Sequence, residues 1–300
     1  MADSERASFL TRRADRYSAV VRVLYRVLYL NLAVAIVKIV LGYLTGAVSI
    51  LSEGFHSLTD SASNVVALMG VAIARRPPDE DHPYGHRKYE TMASLGILIF
   101  LIVVLMQVLG AAYNRLVHGG TPRVFPEGIG VMAITLVVNL FVVAYELRAA
   151  TRLNSEVLRA DAMHTRSDVM TSVAVLGALL GVWAGYPLLD PLAALVVAVF
   201  IGRAGWEIAQ GASRVLGDQI VIAEDDVRAV VRSVPEVLGC HQIRTRGPAD
   251  HVFMDLHLWL DGRTPLEAAH ATSHVVKDRL MRRFPDLADV VIHIEPPPGI

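Results

Sequence analysis

The chain of 300 residues is more apolar than most soluble domains, with 53% hydrophobic residues and a mean hydropathy of +0.45, where about 45–50% hydrophobic is usual. Its net charge of −1 gives no general attraction for nucleic acid. The single cysteine, Cys240, excludes a disulfide framework within the chain and a cysteine-rich zinc finger. Any chemistry with softer metals therefore falls to the 11 histidines.

Six stretches of the sequence are apolar enough for membrane helices, since the hydrocarbon core of a bilayer needs about 20 residues of helix. The second and fifth also carry ionisable residues, which are costly in lipid and persist where they face a bundle interior, a partner or water. We therefore predict an N-terminal tail at residues 1–22 and a six-helix transmembrane domain at residues 23–215. The predicted helices cover residues 24–45, 47–74, 90–116, 126–148, 155–182 and 187–213.

The basic residues predict how these helices are oriented. Arg75, Arg76, Arg87 and Lys88 lie between the second and third helices, and the links after the first and fifth helices hold no Lys or Arg. Because basic loops stay in the cytoplasm, both termini are expected there. The expected location is the inner (plasma) membrane of a bacterium, crossed several times.

A pattern His-x-x-x-Asp occurs twice, as His56–Asp60 in the second helix and His164–Asp168 in the fifth. Residues four apart lie one turn above each other on the same helix face. In the predicted topology the two helices are antiparallel, and both pairs fall near the middle of the bilayer. Two imidazole nitrogens and two carboxylate oxygens would then form the tetrahedral set that Zn²⁺ prefers. The simpler interpretation is hydrogen bonding that only holds the bundle together.

After Gly217 the pattern becomes that of a small soluble module, assigned to residues 216–300. Helical spacing predicts helices at 224–234 and 265–284, and alternation predicts strands at 240–245, 252–260 and 290–295. The order αββαβ fits a small α+β layer of the ferredoxin-like or metallochaperone type. Cys240 is expected to be a buried strand residue and not a ligand.

These features together resemble the cation diffusion facilitator family. The resemblance implies a transporter, not an enzyme, that exports divalent metal ions from the cytoplasm in exchange for protons and works as a homodimer. A histidine at position 56 goes with zinc preference in that family, so the resemblance implies Zn²⁺ first, as substrate and as structural or regulatory ion. It covers nearly the whole chain and is strongest at residues 46–64 (GAVSILSEGFHSLTDSASN), 81–90 (DHPYGHRKYE) and 159–172 (RADAMHTRSDVMTS).

The resemblance also implies a metal site in the loop between the second and third helices. Asp79, His82 and His86 match the family's loop site position by position. The alternative is a polar turn made by Pro77-Pro78 and Gly85.

A further metal site is implied in the C-terminal module, often with two metals across the dimer in that family. The alternative is a set of exposed histidines on a soluble module. Lys88 and Asp218 resemble the family's charge pair that links the membrane and C-terminal domains. The implied ligands are His241, His257, His270, His293 and Glu295.

Other functions stay open at this point. The same site could carry Fe²⁺, Co²⁺, Cd²⁺ or Mn²⁺, because the Irving–Williams order means that affinity alone does not exclude them. A metal-sensing membrane dimer that does not transport is a second alternative. An intramembrane metalloenzyme wants an open metal position and a general base, as in His-Glu-x-x-His, and the sequence has no such motif. The predicted partners are divalent metal ions, protons, the lipid bilayer and a second copy of the chain, with no nucleic acid.

Overall fold

The computed structural model describes residues 2–45, 48–118, 126–183, 186 and 189–298. Within these ranges the side chains of residues 2–14 and of several positions in the helices lie outside the description, among them His56 and Asp60. The chain divides into two compact units. One is Arg16–Ala212, and the other combines Met1–Asp15 with Ser213–Ile300.

Six long helices occupy most of the described chain before residue 217, as predicted. The main difference is α1, which begins at Ala2 and not at residue 24. Hydropathy detects only the part of a helix that suits lipid, so it misses a helix that continues through a polar segment. The helices are α1 (Ala2–Thr45), α2 (Val48–Ala74), α3 (Lys88–His118), α4 (Pro126–Leu153), α5 (Glu156–Trp183) and α6 (Leu189–Leu216).

Among the residues that the structure describes, four of the six helices are long and apolar enough to span a membrane. They contain the spans Asp15–Leu41, Lys88–His118, Ala133–Leu153 and Leu192–Leu216. In α2 the corresponding apolar stretch is shorter, Ser61–Ala74. The helices α2 and α5 carry the two His-x-x-x-Asp pairs, and polar residues of this kind lower hydropathy while facing a bundle interior.

The interior of the helical unit is built from side chains that recur at helical spacing. On α1 the buried residues Tyr17, Val20, Leu24 and Val27 follow one another at intervals of three or four, which places them on one face. The helices α2 and α3 approach closely at Gly70, where an added Cβ would overlap the Cβ of Ala93.

Buried charges tie several helix ends together through the carboxylate of Glu90. Arg16 donates to both oxygens of Glu90 at 3.2 Å, and Arg87 pairs with the same carboxylate. The hydroxyl of Ser155, in the α4–α5 turn, donates to Glu90 Oε1 at 2.5 Å. Arg16 also donates to the main-chain oxygen of Leu153 at 2.7 Å. We refer to Arg16, Arg87, Glu90 and Ser155 as the Glu90 cluster, which joins α1, α3 and the α4–α5 turn.

The C-terminal part has the predicted order αββαβ. Its sheet has the strand order β1-β2-β3, with β1 antiparallel to β2 and β2 parallel to β3. The predicted fold class, a helical membrane bundle followed by a small α+β domain, is confirmed. The elements are α7 (Glu224–Val231), β1 (Gly239–Arg246), β2 (Val252–Trp259), α8 (Leu266–Arg283) and β3 (Leu287–Glu295).

The two faces of this sheet differ in what covers them. On β2, Met254, Leu256 and Leu258 are buried with Val276 and Leu280 of α8. Side chains alternate along a strand, so the intervening residues of β2 lie on the opposite, open face. Residue 257 therefore belongs to the open face.

A β-bulge in β1 aligns that strand with the same two faces. The register shifts between His241 and Arg244, and Gln242 has a φ of 49°. The extra residue keeps both Cys240 and Ile243 buried, while His241 points to the open face. The prediction that Cys240 is a buried strand residue is confirmed.

Candidate metal sites

One face of α5 carries four polar residues at helical spacing. His164, Thr165 and Asp168 follow Asp161 by three, four and seven positions, which places all four on one side of the helix. His164 is 3% exposed and Asp161 is fully buried, whereas Asp168 is half-buried. From α2, Ser63 and Asn64 donate hydrogen bonds to Asp161 on this face.

A small polar cavity of about 30 Å³ lies against this face and is lined by His164 and Asp168. A single water needs roughly 10–15 Å³ on such a measure, so the cavity accommodates about two waters or one dehydrated cation. Its walls come from α1, α2, α4 and α5. The other lining residues are Asn31, Val34, Ser57, Ser63, Thr135, Asn139 and Thr165.

His164 is the distinctive residue of this cavity. Both of its ring nitrogens are buried and have no hydrogen-bond partner among the described residues. A buried polar atom without a partner is unfavourable, and a neutral imidazole nitrogen is a common metal ligand. A cation in the cavity would satisfy one of the two nitrogens.

The other predicted half of this site belongs to α2. The backbone is helical at His56 and Asp60, and their side chains lie outside the described residues. Positions 56 and 60 precede Ser63 by seven and three residues, a spacing that puts all three on one helix face, and Ser63 lines the cavity. Lys38 of α1 is buried and donates to Ser57 Oγ at 3.0 Å, so a cationic side chain lies beside this face.

Sequence analysis missed two buried carboxyl groups near the cavity, Asp161 of α5 and Glu146 of α4. Asp161 accepts hydrogen bonds from Ser63 Oγ at 3.0 Å and from the Asn64 amide. Asn31 donates to Asn64 Oδ1 at 2.9 Å, so the network joins α1, α2 and α5. The spacing of Asp161, three residues before His164, could have revealed Asp161. Glu146 could have been recognised as an ionisable residue in a mostly apolar helix.

In the loop between α2 and α3, Asp79, His82 and His86 come together with their ligand atoms within 4.8 Å of one another. The backbone N–H of His82 donates to Asp79 Oδ1 at 2.7 Å, and this bond lowers the pKa of the Asp79 carboxyl group. Asp79 Oδ2 lies 3.3 Å from His86 Nε2. Gly85, with a φ of 81°, provides the left-handed residue of the turn.

The ring of His86 is oriented by its partners. Its Nδ1 lies 3.2 Å from the carbonyl oxygen of Pro77, and a carbonyl only accepts hydrogen bonds. The contact with Pro77 orients the ring so that Nε2 lies on the side of Asp79, where the three possible ligand atoms meet. A metal-binding histidine commonly has its other nitrogen fixed by a carbonyl in this way.

On the open face of the C-terminal sheet, His241, His257 and Glu295 have ligand atoms within 4.8 Å of one another. His241 lies opposite His257 on the neighbouring strand, and Trp259 lies opposite Glu295. Glu295 accepts from His241 Nε2, from His257 Nδ1 at 3.1 Å and from Trp259 Nε1 at 3.0 Å. These bonds, with that from His241 the largest contribution, lower the pKa of Glu295 to about 2. The carboxylate is therefore ionised at neutral pH.

Trp259 is a residue of this cluster that sequence reasoning did not assign. Its indole ring packs against His241 with a centroid distance of 4.9 Å. Gly239 lies opposite it on β1, and a Cβ there would be 2.6 Å from the ring. Glycine at this position lets the indole reach Glu295.

The other two predicted C-terminal ligands occupy different places. His293 lies next to His257 on β3, with Nε2 3.8 Å from Glu295 Oε2. His270 lies on α8, on the packed side of the sheet, with its ring 4.5 Å from that of His274. One chain therefore brings four of the five predicted residues to the open face, and His270 lies apart from them.

Comparisons with known proteins agree with this architecture. The model of the cation efflux transmembrane domain matches residues 24–216, and that of the cation efflux protein cytoplasmic domain matches residues 222–297. The chain is 34% identical over 264 residues to the cation-efflux pump FieF of Serratia proteamaculans, with 87% of each protein covered. It is 29% identical over 283 residues to metal tolerance protein C1 of Arabidopsis thaliana, covering 89% of this chain and 60% of that protein. The metal-bound C-terminal domain of the CzcD transporter from Thermotoga maritima shares 29% identity, covers 25% of this chain and 88% of its own, and has a TM-score of 0.24.

The two matched models together describe a membrane transport protein for cations, with a multi-pass helical domain and a small cytoplasmic α/β domain. The chain belongs to the cation diffusion facilitator family and is a cation efflux transporter, not an enzyme. The family prediction is thus confirmed, as is the prediction that metal cations are the transported substrate. The identity of the metal and its coupling to protons stay predictions.

Proposed function

We propose that this transporter exports Zn²⁺ from the cytoplasm in exchange for protons, through a tetrahedral site made by His56, Asp60, His164 and Asp168. The observation that carries the proposal is the polar cavity in which His164, with both ring nitrogens unpartnered among the described residues, lies one turn from Asp168. The α2 residues that line the same cavity support the contribution of the second pair.

Exchange follows from competition for the same lone pairs. The ordinary pKa of imidazole is about 6.5, so metal and proton compete for it near neutral pH. Zn²⁺ arriving from the cytoplasm displaces protons, and protons arriving from the other side displace Zn²⁺. Four protein ligands of this kind also disfavour Ca²⁺ and Mg²⁺, which prefer more oxygen ligands or retained water.

Zinc uptake by vesicles that contain the purified protein tests this proposal. A zinc-sensitive dye and a pH-sensitive dye inside the vesicles would report both ions at once. We expect zinc flux accompanied by proton flux in the opposite direction, and loss of accumulation when an ionophore dissipates the pH gradient. If the vesicles take up Fe²⁺, Co²⁺, Cd²⁺ or Mn²⁺ but not zinc, that metal and not zinc is the substrate. If the protein binds metal without transporting any, a metal sensor is favoured.

Replacing His56 by aspartate is expected to relax metal selectivity. A carboxylate binds a metal through one or both of its oxygens and so restricts the size of the ion less than an imidazole does. The ratio of cadmium to zinc uptake should therefore rise while some transport remains. Uptake of each metal in the same vesicles measures the ratio. The matched control is His118→Asp, because His118 is exposed at the end of α3. An unchanged ratio in His56→Asp would count against a ligand role.

The same proposal extends to the accessory sites and the assembly. Asp79, His82 and His86 would bind a regulatory metal, and the open face of the C-terminal sheet would bind another. A second copy of the chain could supply His270, which is exposed on α8.

We also propose that both termini are cytoplasmic and that the protein lies in a bacterial inner membrane. The predicted pairing of Lys88 with Asp218 remains part of this proposal.

Replacing His257 by alanine is expected to abolish the stabilisation that zinc gives the C-terminal domain. A ligand at 100 times its Kd stabilises a folded state by about 2.7 kcal/mol. The variant loses this effect because His257 lies between His241 on β1 and His293 on β3. Thermal unfolding with and without zinc measures the effect, with Glu236→Ala as the control because Glu236 is exposed in the same domain and lies outside the cluster. An equal zinc-dependent shift in His257→Ala and the unsubstituted protein would contradict the assignment. Transport itself should persist at a reduced rate.

A further inference from the structure

Two carboxyl groups lie inside the helical bundle next to the transport site without belonging to it. Glu146 of α4 and Asp161 of α5 are both 0% exposed. Asp161 precedes His164 by three residues on the same face of α5, which places it about 4.5 Å nearer the α4–α5 turn along the helix axis. The pair therefore lies between His164 and that end of the bundle.

Asp161 has hydrogen-bond donors bonded to it, whereas Glu146 has none among the described residues. Asp161 accepts from Ser63 Oγ at 3.0 Å and from the amide of Asn64. Neither oxygen of Glu146 has a partner among the described residues. The groups beside Glu146 are the Asp161 carboxyl group and the Thr165 hydroxyl, and that hydroxyl already donates to the main-chain oxygen of Asp161 at 3.2 Å.

Two ionised carboxylates in this arrangement would be unfavourable for two reasons. Each would be a buried like charge next to the other, and neither could donate a hydrogen bond, since a carboxylate only accepts. A single proton removes both problems. Protonated Glu146 becomes a donor to Asp161, and Asp161 remains the acceptor that Ser63 and Asn64 hold in place.

We propose that Glu146 and Asp161 form a proton-binding site that holds one shared proton and exchanges it during transport. This inference rests on the proposed antiport, in which protons leave toward the cytoplasm, the side predicted for the α4–α5 turn. Besides each other, the titratable group that acts on the pair is His164 of α5, and the polar groups from α2 are Ser63 and Asn64. The step is a proton transfer: the acidic O–H breaks, a water or the next carrier takes the proton, and the pair becomes free to accept another.

The shared proton has a signature that does not depend on transport. Infrared spectroscopy of the full-length protein in lipid, compared in H₂O and D₂O, detects the carbonyl band of a buried carboxylic acid. We expect this band to be lost in Glu146→Gln, whose amide can still donate to Asp161. In Asp161→Asn we expect the band to remain at a shifted frequency, because Glu146 stays buried and protonated but loses the carboxylate that accepts its hydrogen bond. The matched control is Glu207→Gln, because Glu207 pairs with Arg203 at 3.2 Å on the exposed side of α6.

The exchange step is tested by counting protons against metal in the dual-dye vesicles. Glu146→Gln should carry one proton fewer per zinc ion than the unsubstituted protein, and Glu207→Gln should match the unsubstituted ratio. A carboxylic acid band that persists in Glu146→Gln, or one whose frequency is unchanged in Asp161→Asn, would overturn the proton-binding site while leaving the antiport untouched. An unchanged ratio in Glu146→Gln would overturn its exchange during transport. Absence of proton flux in the unsubstituted protein would instead refute the antiport, and the infrared band would still report on the pair.

Discussion

Replacing Asp168 by alanine is expected to reduce metal transport to the level of protein-free vesicles. Asp168 lines the cavity one turn from His164 and contributes one of the two carboxylates of the proposed site. A dehydrated divalent cation in the membrane interior needs nearby negative charge, because its desolvation there is very costly. Alanine removes one charge and one ligand together, which leaves at most three of the four proposed ligands.

The measurement is initial zinc uptake in vesicles, normalised to the amount of inserted protein. The matched control is Asp289→Ala, since Asp289 is exposed on β3 and pairs with Lys277 at 2.6 Å, where a surface ion pair is worth only about 0–1 kcal/mol. Asp168→Ala protein that elutes as the unsubstituted protein does and still carries zinc at full rate would refute the proposed site.

Replacing Glu90 by glutamine is expected to destabilise the helical unit by about 3–5 kcal/mol, the usual effect of removing one partner from a buried charge pair. The Glu90 side chain is 2% exposed, and its partners Arg16 and Arg87 are 11% and 6% exposed. The substitution would leave two guanidinium groups buried without their shared carboxylate, and it would weaken the acceptor for Ser155. Thermal unfolding of the purified protein in detergent, followed by loss of soluble protein, measures the effect.

The control for Glu90→Gln is the same substitution at Glu207. Glu207 also pairs with an arginine, but its side chain is 43% exposed and that of Arg203 is 76% exposed. A substitution at an exposed pair usually changes stability by no more than about 0.5 kcal/mol. Equal changes in unfolding temperature for the two variants would show that the Glu90 cluster contributes no more than a surface pair.

Sequence patterns predicted the elements well because each pattern has a direct physical cause. Long apolar runs gave the membrane helices within a few residues at most ends, and alternation gave β2, whose buried and open faces match the expected period of two. The start of α1 at Ala2 was missed because hydropathy identifies apolar segments, and the first part of this helix is polar.

The arrangement around the sites was less predictable because it depends on contacts between distant residues. The bulge at Gln242, which directs His241 to the open face, depends on register with β2. The position of His270 depends on which side of the sheet α8 covers. The pairing of Asp161 with Ser63 and Asn64 joins residues about 100 positions apart, which no local pattern reveals.

The three proposed metal ligands of the loop between α2 and α3 are unequally exposed. His86 is 4% exposed and fixed by Pro77, whereas the side chains of His82 and Asp79 are 41% and 53% exposed. A cation held there would keep contact with bulk water through two of its three protein ligands, so water could replace them one at a time. Its residence time should consequently be short, which makes the loop better suited to rapid sampling of free metal than to long-term storage.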